Sequence, residues 1–334
     1  MNKLLTISIA AYNVEKYIRN TLDSLLIKDI EELEILVEDD GGTDNTANIV
    51  KEYEKKYPGI VKLVHKENGG YGSTINKSIE LATGKYFKQL DGDDWFDTEG
   101  IEKILKIIRN TNVDVIYTPY TEFYERKELY NIRDFFLKDI NGEFFIEDIL
   151  LKTTRYLSMY TLTYKTNILK ENNVKLIEKC FYTDTEYAIY PMTYCNTIYV
   201  THIPVYMYRI GREGQSVSLE GRLKHYSDHL KVSNKLINFW NKEQSKMGKN
   251  KQNYIFTYVS LDTATSIGDF LILLDTSEES LNKIKEFERN VLELNHDIYI
   301  NIGKISKTIF LLRKTNYKLY KIISFYKRRK YKKD

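Results

Sequence analysis

Lys85-Tyr86-Phe87-Lys88-Gln89-Leu90-Asp91-Gly92-Asp93-Asp94-Trp95-Phe96-Asp97 is the stretch on which the fold turns. Residues 85–90 have the composition of a short strand, with the aromatics and Leu90 packing and the Lys and Gln side chains facing out. The chain then turns at Gly92 and sets Asp91, Asp93 and Asp94 close together. Such carboxylates repel one another unless positive charge lies among them. Oxygen-only ligands suit a hard divalent ion, Mn2+ or Mg2+, which commonly takes one or two carboxylates plus phosphate oxygens. Asp and Gly are also ordinary turn residues, so the triplet alone reads equally well as a solvated acidic turn.

The residues upstream change that balance. Residues 4–11 form an apolar strand suited to the centre of a parallel sheet, and Tyr12-Asn13 break it. Residues 14–26 have helical spacing. A second strand, 34–37, ends in Glu38-Asp39-Asp40-Gly41-Gly42-Thr43-Asp44, and a helix follows with Thr43 or Asp44 as its cap. A third strand, 61–64, leads into Glu67-Asn68-Gly69-Gly70-Tyr71-Gly72, a helix over 73–82 and a stop at Gly84. The order β-α-β-α-β-α-β predicts an α/β domain with a parallel sheet. Ligands of such sheets bind at the carboxyl ends of the strands. Here those ends carry Tyr12-Asn13, Asp39-Asp40, residues 65–72 and Asp91 to Asp94, which together favour a nucleotide pocket. Neither Gly-x-Gly-x-x-Gly after the first strand nor a P-loop sequence is present.

The 334 residues allow one large domain with an appendage, or two domains. No run of about 18 apolar residues predicts a membrane span, and the N-terminus does not read as a signal peptide. Two cysteines, Cys180 and Cys195, do not make a disulfide framework, and a reducing, cytoplasmic setting is expected. Tyrosine is abundant, but so are Lys, Ile and Asn, and no collective role is assigned to the tyrosines. The net charge of +3 conceals an asymmetry: from Arg313 onward there are ten Lys/Arg and one acid, so this segment carries +9 and the rest −6. His225-x-x-x-His229 has no zinc partners and reads as surface or structural.

Ile7-Ser8-Ile9-Ala10-Ala11-Tyr12-Asn13, Val37-Glu38-Asp39-Asp40-Gly41-Gly42-Thr43-Asp44, Asn68-Gly69-Gly70 and Leu90-Asp91-Gly92-Asp93-Asp94, in this order and spacing, resemble the family 2 glycosyltransferases. Two departures are small: Ala10 stands where Pro is frequent and Gly42 where Ser is usual. The resemblance implies a GT-A fold, Rossmann-like with a mostly parallel sheet, over residues 1–220. Residues 1–97 would form the nucleotide-sugar half and 98–220 the acceptor half, followed by a helical C-terminal region over 221–334 with a basic tail. It implies inverting transfer of a sugar from a nucleotide diphosphosugar, with a UDP-linked donor expected. The implied acceptor is a cell-surface glycan or a lipid-linked molecule. Asp40 looks like the carboxylate that accepts from uracil N3–H, Asn68 is similar to a residue at the base edge, and Tyr12 to one near the base. Asp91 and Asp93 look like the metal-binding Asp-x-Asp, with Asp91 also near the ribose. Asp94 has a structural reading, as a cap or turn residue before the helix at Thr98.

An inverting transfer needs a general base for the acceptor hydroxyl. Phe181-Tyr182-Thr183-Asp184-Thr185-Glu186-Tyr187 matches the family's position for it, with Asp184 as the base and Glu186 as the fallback. Thr183 stands where the family has an acid, and Thr183 or Asp184 also reads as a helix cap. Tyr206-Met207-Tyr208-Arg209-Ile210-Gly211-Arg212, continuing to Ser218, resembles a basic loop of bacterial polysaccharide transferases. Arg209 and Arg212 are either diphosphate ligands or solvated loop residues. Residues 121–139 are expected on the acceptor side. Beyond Gly221 the pattern is helical: a polar connection over 244–253, helices over 254–274 and 278–294, and an apolar stripe from Ile305 to Tyr326. That last helix reads either as interfacial, against an anionic membrane at the inner face, or as a packed helix with a solvated basic end. Nucleic acid is not an expected partner. The rival to an enzyme is a non-catalytic nucleotide-sugar-binding scaffold, which Thr183 favours.

Overall fold

Apolar runs separated by polar turns form β1 (Leu5–Ala11), α1 (Ile18–Asp23), β2 (Leu33–Asp39), α2 (Thr46–Lys56), β3 (Val61–His65), α3 (Tyr71–Leu81) and β4 (Tyr86–Asp91). The computed structural model describes residues 3–212, 215 and 218–331. The chain divides into two compact units, Met1–Arg212 and Glu213–Asp334.

In the first unit the chain continues through β5 (Trp95–Phe96), α4 (Thr98–Asn110), β6 (Val115–Tyr117), β7 (Tyr120–Tyr124), β8 (Leu129–Arg133), β9 (Gly142–Phe145) and α5 (Ile146–Ile149). It then forms β10 (Leu162–Lys165), α6 (Thr166–Glu171), α7 (Asp184–Tyr194), β11 (Thr197–Val200) and β12 (Tyr206–Ile210). An eight-stranded sheet runs β3-β2-β1-β4-β10-β6-β11-β9, and a four-stranded sheet runs β5-β12-β7-β8. The pairs β3–β2, β2–β1 and β1–β4 are parallel, so the carboxyl ends of these four strands share one rim. Strand β10 joins β4 antiparallel. The architecture is the expected α/β one, a mostly parallel sheet followed by helices.

Three local expectations are corrected. Lys88 and Gln89 do not face out: both are fully buried, because β4 lies between β1 and β10 in the sheet interior. The Lys88 ammonium donates to the carbonyls of Tyr160 (3.1 Å) and Leu162 (3.5 Å), and burial lowers its pKa to about 7. Asp94 does not cap α4; Asp97 does, accepting from Gly100 N at 2.7 Å, a bond of about 1 kcal/mol in similar caps. That cap starts a helix whose Ile101, Ile104, Leu105 and Ile108 are all buried, each contributing about 1.5–3 kcal/mol. Helix α2 begins after Asn45, while Asp44 accepts from Thr46 N and Glu15 N.

The second unit is helical: α8 (Leu219–Glu243), α9 (Lys249–Leu273), α10 (Glu278–Leu294), α11 (His296–Ile305), α12 (Lys307–Lys314) and α13 (Tyr320–Tyr331). The connection expected over 244–253 is shorter, since α9 already begins at Lys249. The stripe from Ile305 to Tyr326 is not one helix. Ser306 caps α12, accepting from Ile309 N, and 315–319 separate α12 from α13. Ile309 and Leu312 are buried, whereas Phe310, Ile322, Phe325 and Tyr326 are exposed. No helix among the described residues is long and apolar enough to cross a membrane.

Candidate active site

The parallel rim gathers the first set of expected site residues. Of the acids that end β2, Glu38 is buried against the Ser78 hydroxyl, and Asp39 accepts from Gly42 N (3.1 Å) and lies 2.7 Å from His65 Nδ1. Asp40 is buried and turned to the glycine-rich loop. Its Oδ1 accepts from the Lys66 ammonium and from Gly69 N (2.9 Å), and its Oδ2 from Gly70 N (2.9 Å). A carboxylate offers about four lone-pair sites, so Oδ2 keeps one for a further N–H donor. Asn68 is exposed beside this carboxylate, its backbone against Gly41, and Tyr12 is 53% exposed. Asn13 holds the loop after β2, its Oδ1 accepting from Thr43 N (2.8 Å) and Asp44 N (3.3 Å).

At the end of β4 the carboxylates of Asp91, Asp93 and Asp94 offer oxygens all within 4.8 Å of one another. Their partners differ. The Tyr71 hydroxyl donates to Asp91 Oδ1 at 2.7 Å. Asp94 accepts from the Tyr206 hydroxyl (2.8 Å) and Arg209 N (2.8 Å), and the Tyr206 oxygen in turn accepts from Asp91 N (3.1 Å). Asp93 pairs with Arg212. Burial, and then the neighbouring Asp93 and Asp184, push the Asp91 carboxyl up to about 7. Burial, Asp93 and Asp91 push Asp94 up as well. Negative charge therefore exceeds what this part of the fold neutralises, and the all-oxygen donor set fits a hard divalent cation.

Asp184 belongs to the same place. It opens α7, part-exposed, and its charge acts on Asp91, Tyr71 and Tyr160, although it lies far along the chain from each. Thr183 occupies the cap position of α7 without making a side-chain cap bond. Glu186 is buried and accepts from Ile177 N (2.9 Å) and the Tyr190 hydroxyl (2.7 Å), and so braces α7.

The two guanidiniums share the Tyr17 ring, 5.1 and 5.7 Å from its centroid, and differ in their other partners. Arg209 is held inside the fold, with Nη1 on Glu125 (2.9 Å), Nε on the Asp93 carbonyl (3.0 Å), and its guanidinium over the rings of Trp95 and Tyr17. It supports the acidic turn. Arg212 remains at the acids. Of the basic loop to which both belong, Glu213, Gly214, Ser216 and Val217 lie outside the described residues.

Four tyrosines that the sequence reading did not single out line the acids. Besides Tyr71 and Tyr206, the Tyr160 ring stacks on Tyr208 at 4.8 Å with an interplanar angle of 23°, and both rings are part-exposed. Burial and the carboxylates raise the phenol pKa values of Tyr71, Tyr206, Tyr160 and Tyr208, so all four are neutral donors. Lys66 was missed too; its pairing with Asp40 has no local signature.

The family model for glycosyl transferase family 2 matches residues 6–176. The chain is 36% identical to the putative glycosyltransferase EpsH of Bacillus subtilis over 115 residues, 34% of this chain and 33% of EpsH, so the match spans a third of that relative's length. It is 28% identical to an uncharacterized glycosyltransferase of Mycoplasma pneumoniae, the MG060 homolog, over 239 residues, 70% of this chain and 77% of that one. Among solved structures, S. aureus TarS 1-349 in complex with UDP-GlcNAc superposes with a TM-score of 0.72 at 20% identity, covering 98% of this chain and 92% of that one.

Proposed function

The chain belongs to glycosyl transferase family 2, and on that premise we propose that it is an inverting, metal-dependent glycosyltransferase. Its donor is a UDP-linked hexose or N-acetylhexosamine, and its acceptor a hydroxyl of a cell-surface glycan or lipid-linked molecule. The observation that carries this reading is the cluster of Asp91, Asp93 and Asp94 carboxylates at the rim of the parallel sheet, their oxygens within 4.8 Å of one another; the Asp184 charge acts on Asp91, and a general base needs to stand across the anomeric carbon from the leaving diphosphate. Residues 1–97 hold the donor and 98–220 face the acceptor.

Asp40 uses its remaining lone pair on the uracil N3–H, with Asn68 at the base edge and Tyr12 against the base. Asp91 and Asp93 would hold Mn2+ or Mg2+, which would supply positive charge against the charge that builds on the departing diphosphate. Arg212 adds positive charge at the same place. Tyr71 and Tyr206 orient Asp91 and Asp94. Asp184 takes the proton of the acceptor hydroxyl as its oxygen bonds to the anomeric carbon and the bond to the diphosphate breaks. One direct displacement of this kind inverts the anomeric centre.

The second unit supports action at the inner face of a membrane. Phe310, Ile322, Phe325 and Tyr326 are exposed on α12 and α13 among Lys314, Lys318, Lys321 and Lys327. Lys and Arg near anionic lipid contribute about 1 kcal/mol each. Lys332 and Lys333 of the basic tail lie outside the described residues.

The test is the melting temperature with nucleotides and nucleotide sugars, in Mn2+ and then in EDTA. A Mn2+-dependent rise with UDP or one UDP-sugar is expected. A rise that persists in EDTA would remove the metal role, and no rise with any nucleotide would leave only a scaffold.

A further inference from the structure

The glycine loop that holds Asp40 is built against the segment that presents Asp184. Asn76, half-buried on α3, clamps that segment at both backbone groups of one residue: its Oδ1 accepts from Leu176 N (2.8 Å) and its Nδ2 donates to Leu176 O (3.0 Å), and also to Glu178 Oε1 (3.1 Å). One turn earlier the segment passes so close to α3 that a Cβ on Gly72 would run into the Ile177 carbonyl oxygen. A Cβ on Gly70 would meet the Lys179 backbone at 3.0 Å, and Lys179 N donates to Gly69 O. The next links are Glu186, which accepts from Ile177 N, and Asp184 itself. Within this stretch Lys179 and Tyr182 take positive φ, 52° and 64°. Non-glycine residues keep that conformation only where their surroundings over-determine it.

We propose that Asn76 is a positioning residue that couples donor binding to base placement. The amides of Gly69 and Gly70 hold Asp40 on one side, and their loop carries the Ile177–Asp184 segment on the other. A nucleotide seated on Asp40 fixes Gly69 and Gly70, and through Lys179, Leu176 and Asn76 it fixes Asp184. The Gly-Gly-Tyr-Gly sequence is thus a slot for a second segment as well as a donor loop. This inference rests on the donor and base roles given under the proposed function.

Hydrogen exchange of the full chain tests it with UDP and Mn2+ as the probe. In the wild type, UDP with Mn2+ is expected to slow amide exchange over 177–184 by about fivefold or more, as for a segment drawn out of local opening. In Asn76→Ala the UDP affinity and the KM for the UDP-sugar that raises the wild-type melting temperature stay within about twofold. The kcat for UDP release falls about 10²-fold, the scale of an ångström-level misplacement, and the protection over 177–184 is lost. Asn76→Asp, which keeps the bond from Leu176 N and drops the donations to Leu176 O and Glu178 Oε1, falls between the two and serves if Asn76→Ala does not fold. UDP that binds without slowing exchange at 177–184 overturns the coupling alone. UDP that does not bind overturns the donor reading instead.

Discussion

Two clusters of charge, one in each unit, are handled in opposite ways. In the first unit Asp91, Asp93 and Asp94 crowd together, and burial and mutual repulsion raise the carboxyls of Asp91 and Asp94. In the second unit His229, 8% exposed, lies between Asp269 (3.2 Å) and Asp262 (3.3 Å). Arg222 completes the set on Asp269, and the Ser233 hydroxyl donates to Asp262 at 2.8 Å. Burial alone would lower the His229 pKa; the two carboxylates overcome it and raise it to about 10. Charge that a fold leaves uncompensated marks a place where something else binds, and charge that it balances marks scaffold. The pair His225-x-x-x-His229 is therefore half scaffold, with His229 inside the helix packing.

Asp93→Ala would break the comparison most severely. Transfer is expected to fall by about 10³-fold or more, since the cation supplies several kcal/mol of charge stabilisation; UDP release from the donor measures it, and near-wild-type turnover refutes the metal role. Asp184→Asn comes next, with a loss of about 10²- to 10⁴-fold and UDP binding retained in calorimetry. Retained turnover would move the base elsewhere.

In the second unit, His229→Ala should leave donor affinity untouched and cost about 3–5 kcal/mol of stability, because it takes the positive charge from between two buried carboxylates and leaves Asp269 with Arg222 and Asp262 with the Ser233 hydroxyl. Urea unfolding reads this out, and an unchanged midpoint would show that the cluster is not a balanced one.

The smallest effects are slopes with pH, and their signs differ. His229 has a raised pKa, so its stabilisation is complete below about pH 6.5 and is lost as pH rises through about 10. Lys88 has a pKa lowered to about 7, so the unfolded chain binds the extra proton above that pH and stability rises from about 7 toward 10.4. Lys88→Met should remove the rising component and His229→Ala the falling one, by melting temperature between pH 7 and 10. Identical slopes in wild type and both variants would dismiss both assignments.

Much of the rim was legible because each motif sits at the end of its own strand. Once the β-α alternation is read, Tyr12, Asp40, Asn68 and Asp91 fall on one rim by the geometry of parallel strands. The tyrosines around the acids were not legible. Tyr71 reaches Asp91, and Tyr206 reaches Asp94 from β12, a strand of the other sheet; no local spacing records such contacts. Arg209 and Arg212 look alike in sequence, yet packing gives the Arg209 guanidinium to Trp95 and Glu125 and the Arg212 guanidinium to the Asp93 carboxylate. Lys88 was read as outward-facing because alternation along a strand is informative only when one face is solvated.

The sequence by itself determined the α/β order, the acid-rich strand ends and the family resemblance, because these are encoded in local composition and periodicity. Only the tertiary structure decided which acids are neutralised, which arginine pairs with the Asp93 carboxylate, and that the segment carrying Asp184 lies in a slot between Gly70, Gly72 and Asn76. Those outcomes depend on close approach between residues far apart in the chain, where a missing Cβ or a single buried hydrogen bond selects the arrangement.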